Sequence, residues 1–170
     1  MTFRETKLVL LSAAMAGYAR ATANLDALAV AVFLDDWYRR CAATIRDRGG
    51  RLVKYIGDGC LATFPDDKCV EAVDTATELR RVIDALRSEH PLKVEIGANV
   101  HLAVVAEGDF GPDDDRRYDV LGSGVNHLFL MGGGAGIRIS EPVYRQLPND
   151  RRGEWNKNRP PATYTLSRSR

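Results

Sequence analysis

The stretch "KYIGDGCLATF" places Lys54 and Asp58 four residues apart, around a Gly-Asp-Gly turn inside apolar sequence. A lysine within an apolar strand is costly unless its charge meets a partner or reaches an open cleft. An aspartate at a turn tip can project its carboxylate toward a cation, although aspartate is also an ordinary turn former. Other polar clusters carry less. "PDDDRR" at 112–117 reads as a solvated loop rather than a metal site. His90, His101 and His127 are scattered and make no metal-ligand spacing. "GGGAG" has no strand before it and no Lys-Ser/Thr after it, so it is not a phosphate-binding P-loop. Cys41, Cys60 and Cys69, spaced by 19 and 9 residues, fit neither a zinc knuckle nor a disulfide framework. They read as reduced thiols in or near a core, which suits a cytoplasmic protein.

These residues need elements to hold them. The chain of 170 residues suits one domain, 1–170. Its 45% apolar and 28% charged residues support a packed soluble core. A net charge of +1 gives no global field for nucleic acid or an anionic membrane, so neither is expected as a partner. The N-terminal apolar run, Leu8 to Leu11, is too short to span a bilayer and too weak for a signal peptide.

"KLVLLSA" reads as a strand buried on both faces. A long amphipathic helix follows, with an apolar stripe of Leu25, Leu28, Val32, Trp37, Cys41 and Ile45, stopped by Gly49-Gly50. "RLVKYI" and "CLATF" form a hairpin about the Asp-Gly turn. In "RLVKYI" the alternation puts Lys54 on one face with Leu52 and Ile56, and Val53 with Tyr55 on the other. A second long helix spans "DKCVEAVDTATELRRVIDALRSEHP". "LKVEIGANVHLAVVAEGDFG" and "RRYDVLG" are strands, and Ser123 is placed to cap a short helix beginning "SGVN". "GIRIS" is a strand and "EPVYRQL" a short helix with Pro142 in its first turn. "TYTLS" reads as a last edge strand. The order β-α-ββ-α-β-β-α-β-α-β implies an α+β fold, with helices packed on a largely antiparallel sheet.

"KYIGDGCLATF", then "RRYDVLGSGVN", then "GIRISEPVYRQL" resemble the class III nucleotidyl cyclase catalytic domain, in the right order, over roughly Lys7 to Thr165. The resemblance implies a ferredoxin-like core working as a head-to-tail homodimer, with two composite sites at the interface. The reaction it implies converts a nucleoside triphosphate to a 3′,5′-cyclic nucleotide and pyrophosphate, with two divalent ions, Mg2+ or Mn2+.

The same resemblance assigns residues. Asp58 matches one of two metal-binding aspartates. The place of the other, in "SAAMAGYA", is Ala14, which has no side-chain oxygen. Gly17, Tyr18 and Ala19 fall where backbone N–H groups receive the triphosphate. Lys54 and Asp119 match the pair that reads adenine, the lysine donating to ring N1 and the aspartate accepting from the 6-amino group. Asn126 matches the asparagine that orients the ribose. The transition-state arginine one helical turn later is Leu130 here. Lys157, in "EWNKN", is the candidate phosphate lysine. ATP is therefore the expected substrate, with activity impaired by Ala14. The alternatives are a catalytically silent nucleotide-binding or interaction module, and a cyclase for GTP or a pyrimidine nucleotide.

Overall fold

The computed structural model describes residues 3–158 and 162–167. The elements follow as β1 Arg4–Ala16, α1 Tyr18–Thr22, α2 Ala27–Asp47, β2 Arg51–Ile56, β3 Gly59–Pro65, α3 Cys69–Glu89 and β4 Glu95–Phe110. They continue as β5 Arg117–Leu121, α4 Ser123–Leu130, β6 Gly136–Ser140, α5 Glu141–Gln146, α6 Asn149–Arg152, β7 Trp155–Asn158 and β8 Thr163–Leu166. The expected α+β class holds. One sheet runs β2-β3-β1-β4-β6-β8-β7, and β5 pairs with β4 off this path. Only β4 and β6 are parallel among the recorded pairings.

The strand β1 is buried on both faces, as its unbroken apolar run predicts. Val9, Leu11, Ala13 and Met15 join the core under the long helices, with Trp37, Ile45, Leu79 and Ile83. Leu10 faces the other way, with Leu61, Val120 and Leu128, beneath α4. The central strand thus anchors two helical layers, and the hairpin β2–β3 hangs on its flank through β3.

Four sequence expectations need correction. In α2, Phe33, Trp37, Cys41 and Ile45 are buried, whereas Leu28 and Val32 are 80% and 63% exposed, and Leu25, ahead of the helix, is also exposed. The step from Val32 to Trp37 is five residues, which rotates the helix by about 140° and starts a different stripe. In β2 a bulge between Leu52 and Lys54 breaks the alternation. Leu52 pairs with Ala62 of the long-helix core and Lys54 with Leu61 of the α4 core, so Lys54 faces away from Leu52. Helix α4 starts at Ser123 with Gly122 as its cap residue, at φ 134, so Ser123 is not the N-cap. Finally β8 is not an edge strand: it lies between β6 and β7, and the edge is β7.

Candidate active site

The turn between β2 and β3 consists of Gly57 and Asp58, with Gly57 at φ 58. Three groups of α2 and its neighbours fix it. The Trp37 indole N–H donates to the Asp58 carbonyl at 3.0 Å. The Tyr38 hydroxyl donates to the Gly57 carbonyl. Tyr38 and Tyr55 stack with centroids 3.9 Å apart, and the Tyr55 hydroxyl donates back to the Tyr38 carbonyl at 3.1 Å. Burial pushes the Tyr38 phenol above its usual pKa, keeping it a neutral donor.

The Asp58 carboxylate accepts the Met15 N–H at Oδ2, 2.9 Å away, and Oδ1 has no hydrogen bond among the described residues. It opens onto a cleft of about 640 Å³ together with Gly17, Tyr18 and Ala19. Arg20 and Lys93 line the same cleft. Gly17 sits at φ 84 before α1, and a Cβ there would lie 3.1 Å from the Lys93 carbonyl, so glycine suits this close approach.

Ala14 is beside the turn. A Cβ built on Gly59 would come within 3.1 Å of the Ala14 Cβ. Ala14 thus lies beside the residue that follows Asp58, and at the position where the resemblance has a second carboxylate it supplies only a methyl group. The donor set fits one divalent cation through Asp58, and not a pair of cations held between two carboxylates.

Lys54 and Asp119 come together across β2 and β5, Nζ to Oδ2, at 2.6 Å. The other Asp119 oxygen accepts the Val120 N–H at 2.8 Å. Arg116 and Arg117 do not compete, because they pair with Asp113 at 2.7 Å and Asp115 at 2.9 Å. "PDDDRR" is thus the solvated loop expected of it, with ion pairs that the sequence did not foretell. Asn126 is exposed on α4, and Leu130 on the same helix is 77% exposed. Lys157 lies on β7, at the opposite edge of the sheet from β2, with Nζ 5.5 Å from the Tyr164 ring centroid. No contact joins it to Lys54, Asp119 or Asn126 among the described residues.

No family model matches the chain. An adenylate cyclase of Anabaena cylindrica is 26% identical over 144 residues, covering 77% of this chain. The match spans 29% of that relative's own length. The adenylyl cyclase CyaB of P. aeruginosa superposes with a TM-score of 0.86 at 19% identity, covering 100% of this chain and 98% of that one. The guanylyl cyclase Cya2 gives 0.82 at 19% identity, covering 98% and 94%. The guanylate cyclase domain of RhGC from Catenaria anguillulae, in complex with GTP, gives 0.82 at 16%, covering 96% and 98%. The fold is that of a class III nucleotidyl cyclase catalytic domain.

Within this cyclase fold, several features escaped sequence reasoning. Trp37 reads as a core stripe residue, and its role in holding the Asp58 carbonyl depends on a contact across 21 positions of sequence. Arg20 and Lys93 carry no motif, so only the folded cleft reveals them. The histidines are less scattered than their spacing suggests. His101 and His127 have ring centroids 4.6 Å apart. His90 lies with Asp36 and Glu89, their ligand atoms within 4.8 Å of one another. Arg40 occupies that cluster, bonding Asp36 at 2.9 Å and Glu89 at 3.0 Å, so it is an ion-pair knot between α2 and α3. The three cysteines are free and buried, and Cys41 and Cys60 have their sulfurs 3.3 Å apart. No helix is long and apolar enough to cross a membrane among the described residues.

Proposed function

We propose that this chain is a nucleotidyl cyclase domain directed to ATP, forming a 3′,5′-cyclic nucleotide and pyrophosphate at a homodimer interface, with activity impaired by Ala14. The observation that carries the reading is the Lys54–Asp119 pair, a donor and an acceptor 2.6 Å apart at the two motif positions. Adenine offers the complementary edge, an acceptor at N1 beside a 6-amino donor. Guanine has the opposite polarity there and would oppose donor to donor. The structural neighbours include both adenylyl and guanylyl cyclases, so the base assignment rests on this pair.

In the reaction the ribose 3′-oxygen attacks the α-phosphorus and pyrophosphate leaves. A divalent ion, Mg2+ or Mn2+, when bound supplies Lewis-acid polarisation of the triphosphate and a lower pKa for the 3′-hydroxyl. Asp58 would hold that ion from a turn fixed by Trp37 and Tyr38. Gly17, Tyr18 and Ala19 line the same cleft, and their backbone N–H groups would meet the phosphates. Lys54 and Asp119 would read the base, Asn126 would orient the ribose and Lys157 would approach the phosphates. In the composite arrangement Asp58 of one chain serves the same nucleotide as Lys54, Asp119 and Asn126 of the other. Exposure of Asn126 on α4 suits a group that meets its ligand across an interface.

The second reading is a catalytically silent nucleotide-binding module. Leu130 favours it, being 77% exposed where the resemblance has a transition-state arginine. The deciding assay incubates this chain and its Ala14→Asp variant with ATP, GTP, CTP or UTP and Mn2+, and quantifies cyclic products. We expect cyclic AMP from Ala14→Asp at roughly a hundred times the unaltered rate, in line with restoring a charged group at a reacting centre. Absence of any cyclic product from both proteins would favour the silent module.

A further inference from the structure

Two thiols lie beneath the hairpin that carries Lys54 and Asp58, and the reaction described above uses neither. Cys41 on α2 and Cys60 on β3 are free and buried, 0% and 2% exposed. Their sulfurs are 3.3 Å apart, in hydrogen-bond contact. Cys69, also free and buried, makes no such contact among the described residues. A disulfide places its sulfurs about 2.0 Å apart, so a shift of about 1.3 Å joins Cys41 to Cys60.

The pair sits one side-chain layer below the surface. Tyr55, on the edge strand β2, is the cross-strand partner of Cys60. Burial first, then Cys41 and Cys60, raise the pKa of its phenol, which puts both thiols beside the ring. Tyr55 is itself 39% exposed and stacks on Tyr38. One hydrogen bond holds its hydroxyl, to the Tyr38 carbonyl at 3.1 Å. Contact with Cys60 and burial push the Cys41 thiol above its usual pKa, so the closed pair rests as unreactive thiols. Access then depends on local opening. Edge strands open before a core does, and the bulge between Leu52 and Lys54 interrupts the pairing that holds this one.

We propose that Cys41 and Cys60 form an oxidation site, closed by a hydroperoxide into a disulfide that staples α2 to the hairpin. Opening of β2 at Tyr55 admits the peroxide. One thiol takes the terminal peroxide oxygen and becomes a sulfenic acid, as the O–O bond breaks and water or an alcohol leaves. The other thiol attacks that sulfur, the S–S bond forms, and the hydroxyl leaves with a proton as water. Two thiols lose two hydrogens and two electrons, and the peroxide bond takes them up. Position gives the staple its effect. Cys60 comes two residues after Asp58. Cys41 comes one helical turn after Trp37, whose indole holds the Asp58 carbonyl at 3.0 Å. The new bond is a second clamp beside the first, and it limits opening of the β2–β3 hairpin.

The probe is hydrogen peroxide, in millimolar excess over the reduced full chain. The intact mass should fall by two hydrogens, and proteolysis without reductant should yield one fragment joining Cys41 to Cys60. Cys69 should remain open to alkylation in urea, and dithiothreitol should reverse the change. Amide exchange across β2 and β3 should slow by about tenfold in the oxidised protein, because a cross-link restricts local opening. Tyr55→Ala, which removes the cover, should speed cross-linking about tenfold. Cys41→Ser should instead hold Cys60 as a sulfenic acid that dimedone captures, and Cys69→Ser should cross-link at the unaltered rate. Dispersed amide spectra show that each variant is folded. Recovery of Cys41 and Cys60 as free thiols after peroxide, cross-links made through Cys69, or a bond that forms only in urea-unfolded chain would each overturn the proposal. Unchanged exchange in cross-linked protein would overturn the staple, and an unchanged rate in Tyr55→Ala would overturn the route of access.

Discussion

Lys54 Nζ lies 2.6 Å from Asp119 Oδ2, tying the edge strand of the sheet to the β5 branch. The lysine side chain is 41% exposed and the aspartate 21%, so the pair faces solvent and stabilises the fold by less than about 1 kcal/mol. Under the proposed function its consequence is selectivity. In the Ala14→Asp background, Lys54→Glu should lower the ratio of kcat/KM for ATP over GTP by about tenfold or more, because an acceptor replaces the donor that faces N1. An unchanged ratio would remove the base-reading role.

The turn bearing Asp58 depends on a buried indole. Trp37→Phe keeps most of the packing and deletes the donor to the Asp58 carbonyl. We expect a loss of about 1–2 kcal/mol in urea unfolding, read as a lower midpoint at constant m-value, and weaker Mn2+ binding. Full stability with unchanged Mn2+ affinity would mean that the bond does not position the turn.

Helix α2 offers a paired test of which face is inside. Leu28 and Val32 are exposed, and Phe33 is 1% exposed against His90, with ring centroids 5.3 Å apart. Leu28→Ser should change stability by less than about 0.5 kcal/mol, whereas Phe33→Ala should cost about 3–5 kcal/mol. Comparable effects of the two substitutions would contradict the observed rotation of the helix.

That helix shows where sequence was legible. Its existence followed from periodicity and its end from Gly49-Gly50, whereas its cap, the Asp26 side chain that accepts the Ala29 N–H at 2.8 Å, emerged only in the structure. Its inner face did not follow from periodicity, because two apolar stripes meet at a five-residue step and only tertiary packing chooses between them. The β2–β3 turn was plain from Gly57-Asp58-Gly59, yet the bulge that moves Leu52 away from Lys54 leaves no local mark. Strand β7 gives no local strand signal, because "WNKN" is polar and three of its four residues are exposed at the sheet edge. The meeting of Lys54 and Asp119, 65 residues apart, was visible only through family resemblance. The contact between Cys41 and Cys60 was invisible, because their spacing matches no disulfide or metal motif and only the fold brings α2 to β3.

His101 gives a pH dependence. Burial lowers its pKa from 6.5 to about 4, with the nearby His127 charge acting in the same direction. The folded state therefore refuses a proton that the unfolded chain accepts below pH 6.5, so stability falls as pH drops from 6.5 toward 4. His101→Gln should flatten the dependence of Tm on pH across this window. A slope equal to that of the unaltered protein would place the titration elsewhere.

The central claim is that Asp58 and Lys54, on one hairpin, serve two different sites of a dimer. It is tested by mixing two impaired proteins in the Ala14→Asp background, one with Asp58→Ala and one with Lys54→Ala, and measuring cyclic AMP formation after subunit exchange. Half of the dimers are then mixed, and each mixed dimer holds one intact site, so the rate should recover to about a quarter of that of Ala14→Asp alone. A mixture no more active than the sum of its two components would contradict the composite site.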